Sequence, residues 1–487
     1  MRSPTFLFRL SLVSVGIILA GCTVGPDFKT PAPPPVEGYT ETPVAPVTAS
    51  ASGPGGAAQH LNEGADIIDD WWQLYRSPDL DAAVTQAIAG SPNLAAARAT
   101  LRQAHEAVNA AAGAFYPQID ANAGLSRQRA SFVPFGENLS IPDFTLYTIG
   151  GAVSYPLDIF GGNKRLYEEE KALESVQEQE LHAAQLTLTG DTVTEAITIA
   201  EASEELNAVN DIIKSDEDNI RLLNTAITAG ELAKEGPEIL AALSQLASDR
   251  NLAPPLLQQR DAARHALTAL LGKLPAQWAP PDFDFTKLQL PTELPVALPS
   301  TLVAHRPDIL VAEARLHAAS AAVGVASARL LPNFSLSGAL SFNSLTPEKL
   351  FDPIGLIYNF GAQVATPLFA GGTLTAQKRE AVAFLEASDA QYQQVVVDSF
   401  RQVADVLRAL GHDADLTEGQ QRALEAAQRS LASARAGLRA GAVGYLQVLD
   451  ATRQYQQARI GYVRAAAQRY RDTAQLFVAM GAGWWHT

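Results

Sequence analysis

The sequence predicts an α+β membrane protein whose chain is one unit written twice. Three observations carry that prediction: an internal repeat over nearly the whole chain, four alternating apolar segments of about ten residues, and two long proline-free stretches of helical periodicity.

Composition narrows the classes before any element is placed. Among 487 residues, 36 Lys and Arg face 52 Asp and Glu, a formal charge of −16. That sign excludes a protein that tracks a phosphate backbone, so no nucleic acid is expected as a partner. Charged residues make up 18 % of the chain, against about 25 % for an average soluble domain. Mean hydropathy is only +0.01, too low for a helical bundle in lipid. Cys22 is the one cysteine, so neither an intrachain disulfide nor a CxxC metal site can form.

Residues 1–21 read as an export signal: two arginines within Met1–Arg9, then an apolar run over Leu10–Ala20 that is too short to span a bilayer. Leu19-Ala20-Gly21-Cys22 resembles a bacterial lipobox, in which Cys22 becomes the lipid-bearing first residue of the mature chain. The alternative is an incidental cysteine behind an ordinary signal peptide. In bacterial lipoproteins an Asp after the cysteine implies inner-membrane retention; Thr23 stands there instead and favours the outer membrane. Residues 22–65 are expected to form a lipidated N-terminus and flexible tether, because Pro31–Ala58 is rich in Pro, Ala, Gly, Ser and Thr and holds little apolar surface to bury. Ordered structure is expected from near Asp66.

The repeat sets the organisation. Ser91-Pro92-Asn93-Leu94 matches Arg306-Pro307-Asp308-Ile309, Tyr116-Pro117 matches Leu331-Pro332, Tyr155-Pro156-Leu157 matches Thr366-Pro367-Leu368, and Ala229-Gly230 matches Ala440-Gly441. Such a period is too long for a solenoid and implies a duplicated domain. The first repeat covers 66–272, a linker or equatorial segment 273–304, and the second repeat 305–487.

Within each copy the hydrophobic period changes type. Ile119, Ala121, Ala123 and Leu125 alternate with polar residues, as do Phe334, Leu336, Leu340 and Phe342, which predicts strands near 118–128 and 333–343. Partner strands follow near 145–156 and 357–367, each close to the length that crosses an outer membrane at a tilt. A soluble sandwich would show the same alternation. The proline map separates the two: none of the 29 prolines falls within 157–236 or 368–487, so long helices are expected over 161–229 and 372–440 and a last helix over 443–481. Each long helix would run about 100 Å if continuous. Pro237 is placed to start the helix after the first turn, and Pro254-Pro255 to kink or divide it.

Four strands per chain cannot close a membrane barrel, which needs at least about eight, and open edges are not tolerated in lipid. Several chains must share one barrel: two would give eight strands and three twelve, and the strand arithmetic alone does not choose.

At this point several motifs in order resemble the TolC-like outer-membrane factors, in particular their OprM/NodT-type efflux lipoproteins. They are Cys22-Thr23-Val24-Gly25-Pro26-Asp27-Phe28, Trp71-Trp72-Gln73-Leu74-Tyr75, His305-Arg306-Pro307-Asp308-Ile309, the tip sequence Gly441–Ala451, and Gly481-Ala482-Gly483-Trp484-Trp485. The resemblance implies a homotrimer in the outer membrane: a shared 12-stranded β-barrel continuous with a long α-helical barrel reaching through the periplasm. It also implies a periplasmic adaptor and an inner-membrane RND-type transporter as partners, outer-membrane lipid around the barrel, and conduction of drugs or other small molecules without bond chemistry or cofactor. Leu446 and Asp450 match the positions that narrow the tunnel in relatives, which implies an apolar plug and a like-charge ring at a gate. Without the resemblance, Asp450 reads as a carboxylate favoured by the first turns of a helix. Where relatives carry Arg-Tyr before the tip this chain has Gly437-Leu438, so adaptor contacts of that pair do not transfer.

Two other readings stand beside this one. A secreted lipoprotein enzyme lacks its chemistry: His105-Glu106 is followed by Asn109 where a zincin needs histidine, Gly272-Lys273 by Leu274 where a phosphate loop needs Ser or Thr, and no GxSxG occurs. A type I protein-secretion duct would share the fold and differ in cargo.

Overall fold

The computed structural model describes residues 23–129, 142–230, 233–285 and 287–482. The export signal, Cys22, the middle of the first strand-connecting loop and Trp484-Trp485 lie outside the described residues. The chain divides into two compact units, Met1–Pro31 with Thr100–Gln177 and Val311–Tyr392, and Ala32–Ala99 with Glu178–Leu310 and Gln393–Thr487. Each unit therefore draws on both repeats, and the repeat boundaries are not the boundaries of compact bodies.

Strands and helices alternate as follows. Strand β1 (His60–Glu63) precedes helices α1 (Pro78–Gly90) and α2 (Pro92–Ala112), the hairpin strands β2 (Gln118–Gln128) and β3 (Phe144–Leu157), and the long helix α3 (Gly162–Thr228). Helices α4 (Pro237–Arg250) and α5 (Ala253–Leu270), strand β4 (Glu293–Val296) and the short helix α6 (Pro299–His305) lead to the second copy. That copy holds α7 (Pro307–Ala328), β5 (Asn333–Ser344), β6 (Leu356–Ala365), α8 (Thr373–Arg439) and α9 (Tyr445–Ala479). Pro237 opens α4 behind Gly236, and the helix after it divides before Pro254, which sits with Ala253 in the first turn of α5, where a missing N–H costs nothing.

In the first unit the four long strands form one antiparallel sheet in the order β2-β3-β5-β6. The two repeats meet at its centre, where Val153 pairs with Gly338 and Tyr155 with Leu336. Directly paired residues share a face, so register sorts the whole sheet. One row reads Ile119, Val153, Gly338 and Phe360, and another Ala123, Ile149, Phe342 and Leu356. The opposite face carries Asp120, Asn122, Thr148, Ser154, Ser337, Ser341 and Asn343, with Thr148 Oγ1 2.7 Å from Asn343 Oδ1. The sheet is apolar on one side and polar on the other. A Cβ on Gly338 would lie 2.8 Å from the Phe360 ring, so one of the two would have to shift.

Residues 24–28 belong to the same unit. Val24 N–H donates to the Phe160 carbonyl at 3.1 Å. The Arg165 guanidinium reaches the Val24 carbonyl, Asp27 at 2.6 Å and Glu168 at 2.8 Å, while Phe28 stacks on His317 with ring centroids 4.3 Å apart.

The second unit is built round an aromatic core. Trp71 stacks on Phe477 at 5.1 Å, and the Tyr75 hydroxyl donates to the Tyr470 carbonyl at 2.8 Å. Residues 273–304 are more than a linker: Phe283, Phe285, Leu288, Leu290 and Leu294 are buried in this core, and β4 pairs in parallel with β1.

The expected flexible tether is corrected by this unit. Tyr39 donates to the Ala297 carbonyl at 2.7 Å, Gln59 is buried against Pro291 and Thr473, and Tyr462 donates to the Ser52 and Pro54 carbonyls. Arg469, itself buried, donates to the carbonyls of Gly55 at 2.6 Å and Ala57 at 3.0 Å. Composition counts apolar side chains; this segment is held by its backbone carbonyls, and its small residues let that backbone lie against α9. A Cβ on Gly55 would be 3.0 Å from Ala466 Cβ.

Candidate functional site

The candidate site lies in the second unit, where α8 ends at Arg439 and α9 begins at Tyr445 behind the extended residue Gly444. Helical spacing gives the start of α9 two faces. Val448 and Ala451 pack with Leu431 and Ala434 of α8, and Leu449 packs with Leu223 of α3 and with Ile239 and Ala242 of α4. Leu446 and Asp450, four residues apart, share the other face. Leu446 is 50 % exposed, and Asp450, also exposed, accepts a hydrogen bond from Gln454 Nε2 at 3.0 Å. The chain thus presents a half-exposed apolar side chain and an exposed carboxylate on one face of α9.

Sequence reasoning missed what holds this helix. Moving along α9, Arg453 donates to Gln245 Oε1 of α4 at 2.7 Å, Arg459 to Asp211 of α3 at 2.8 Å, Arg464 to both oxygens of Glu205, and Arg471 to Glu201 at 2.5 Å. Glu205 and Glu201 are buried, and the hydrogen bond to Glu205 raises the proton affinity of Arg464 further. The signal was present as complementary charge: arginines recur along α9 while α3 carries Glu201, Glu204, Glu205 and Asp211. Only the antiparallel packing of the two helices tells which acid meets which base.

No group of three or more His, Cys, Asp or Glu side chains among the described residues is placed to hold a metal ion. The arrangement offers a two-faced sheet, a helix end with an exposed Leu–Asp pair, and polar links from that helix to its neighbours.

Known proteins share this arrangement. The sequence profile of the family described as "Outer membrane efflux protein" matches residues 83–273 and 298–482. The pyoverdine export outer membrane protein OpmQ of Pseudomonas aeruginosa is 30 % identical over 431 residues, 86 % of this chain and 88 % of that protein. The probable outer membrane lipoprotein SilC of Salmonella typhimurium is 26 % identical over 486 residues, covering 98 % of this chain and 100 % of its own. The solved structure of the outer-membrane channel OprN superposes with a TM-score of 0.84 at 27 % identity, covering 95 % of this chain and 100 % of that one. With the profile spanning most of the chain and a solved outer-membrane channel superposing over 95 % of it, the chain belongs to the outer membrane efflux protein family, as a non-enzymatic TolC-like channel of the outer membrane.

Proposed function

We propose that three copies of this chain assemble side by side in the outer membrane and share a twelve-stranded barrel. The trimer conducts drugs or other small molecules delivered by a periplasmic adaptor and an inner-membrane RND-type transporter. The observation that carries this reading is the open sheet. β2 and β6 are its outer strands, each is exposed along its whole length, and neither outer edge has a partner strand among the described residues. Unpaired edges are not tolerated in hydrocarbon, so further copies supply the missing pairing. The apolar row through Ile119 and Phe360 suits lipid, and the polar face that carries Asp120 and Ser337 suits a water-filled lumen, for which twelve strands leave room.

Leu446 and Asp450 form the gate in this reading. Three copies place three leucines and three carboxylates round the axis, and the exposure of both residues in the single chain supports that placement. The arginine links from α9 to α3 and α4 hold the closed position. Cys22 carries the lipid; Thr23, the next residue, lies against Gly161, four residues past the end of β3. The relative SilC is named a probable lipoprotein, which agrees. The OpmQ relative is named for pyoverdine export, a small-molecule cargo, and in this reading selectivity lies with the transporter.

Deleting the gene and measuring accumulation of a panel of drugs and dyes tests the transport role. Higher accumulation is expected; unchanged accumulation with loss of a secreted protein would reject efflux in favour of a protein-secretion duct. In planar bilayers Asp450→Ala is expected to raise resting conductance, and an unchanged closed state would remove the gate from Asp450.

A further inference from the structure

Two carboxyl groups near the start of α9 are placed where carboxylates are rarely found. Asp216 of α3 is 2 % exposed and Asp249 of α4 is 5 % exposed. No lysine or arginine among the described residues pairs with either, and Asp216 Oδ2 has no hydrogen-bond partner. Lys214 of α3 is exposed, and the neighbouring arginines are engaged elsewhere. Arg250 of α4 pairs with Glu217 at 2.7 Å, Arg221 of α3 with Asp218, Arg435 of α8 reaches the Ser215 hydroxyl at 3.0 Å, and Arg453 of α9 is held by Gln245. An ionised carboxylate only accepts hydrogen bonds, so two such groups facing each other away from water need a proton between them. Burial, then Asp249, pushes the Asp216 carboxyl up to about 7.

The pair is wired to the gate helix by one amide. Gln245 Nε2 donates to Asp249 Oδ2 at 2.8 Å, and Gln245 Oε1 accepts from Arg453 Nε at 3.2 Å and Nη2 at 2.7 Å. Both ends of the amide are therefore committed, and Arg453 stands three residues beyond Asp450 on α9.

We propose that Asp216 and Asp249 share one proton and form a pH-sensitive tie that holds α9 closed through Gln245 and Arg453. The inference rests on α9 being the gate helix. With the proton in place, α3 and α4 are bonded and the amide is fixed for Arg453. When the proton leaves, two buried carboxylates repel, Asp249 withdraws with Gln245, and the grip on Arg453 loosens. The sign follows from linkage: a carboxyl that binds its proton more tightly in the tied state than in the released state, where it titrates near 4, strengthens the tie at acid pH. That contribution is lost as pH rises through about 7.

The test uses the full-length protein. Between pH 6 and pH 8 the open-to-closed ratio of wild type in planar bilayers is expected to rise about tenfold, as one group titrating near 7 requires. In Asp216→Asn the amide donates to the Asp249 carboxylate without a titrating proton, so the step disappears and the channel stays in its low-pH state; Asp249→Asn acts likewise. Hydrogen exchange over Pro237–Arg250, corrected for intrinsic rates, reads the tie without reference to conduction. It is expected to be faster at pH 8 than at pH 6 in wild type and equal at the two in either variant. A pH step in exchange that survives both substitutions, or no step in wild type, overturns the tie. If exchange behaves as expected while Asp450→Ala leaves the closed state unchanged, the tie stands and the gate reading fails.

Discussion

Arg464 of α9 forks onto Glu205 of α3, with Nε and Nη2 each 2.9 Å from a different carboxylate oxygen. The two ends of this link sit in unlike surroundings: the Glu205 side chain is 3 % exposed and that of Arg464 is 61 % exposed. Removing one partner is therefore not equivalent to removing the other. Arg464→Ala strands a buried carboxylate and is expected to cost about 3 kcal/mol. Glu205→Ala frees an arginine that water can solvate and should cost about 1 kcal/mol. Thermal unfolding of the two variants in detergent checks the order. Equal losses would mean that Glu205 is reached by water once its partner is gone.

Arg469 offers a second prediction. Its guanidinium donates to Gly55, Ala57, Thr48 and Gln59, and so gathers a stretch with little secondary structure of its own onto α9. Arg469→Met keeps the apolar stem and removes the donors, leaving several carbonyls without a partner. Proteinase K is expected to cut within residues 40–59 at least about tenfold faster than in wild type, since local opening becomes cheaper by more than about 1.4 kcal/mol. An unchanged rate would show that the segment is held by its other contacts, such as Tyr39 and Tyr462.

Gly338 gives a third. It sits between Val153 and Phe360 in the sheet, and any β-carbon there meets the Phe360 ring at 2.8 Å. Gly338→Val should push β5 and β6 apart and lower the fraction of protein recovered folded in the outer membrane, by overpacking of about 1–3 kcal/mol. Gly338→Val combined with Phe360→Ala should recover most of that loss, measured as the protease-resistant membrane fraction. No recovery in the double variant would place the strain elsewhere.

These residues also mark where the sequence was readable. Alternation and the repeat located the strands closely: the segment expected near 118–128 is Gln118–Gln128, and that near 333–343 is Asn333–Ser344. The prolines located the helices, with 161–229 observed as Gly162–Thr228 and 372–440 as Thr373–Arg439. Both signals are local, because a side chain's face and a missing N–H depend on neighbours within a few positions. The tether was misread because its partners are remote: Gly55 is held by a residue more than four hundred positions away. The Arg464–Glu205 fork and the Asp216–Asp249 pair were illegible for the same reason, since each joins helices whose relative register no single stretch of sequence encodes. Leu446 and Asp450 were legible only by resemblance, and their common exposed face is the part that the structure adds.

The central claim is that one chain makes a third of a pore. Native mass spectrometry of the purified protein in detergent, with single-channel recording on the same preparation, tests it most directly. The account predicts a mass of three chains and a conducting species at that mass alone. A monomeric or dimeric protein that conducts, or a trimer whose β2 and β6 edges exchange amide hydrogens as freely as those of an isolated sheet, would contradict it.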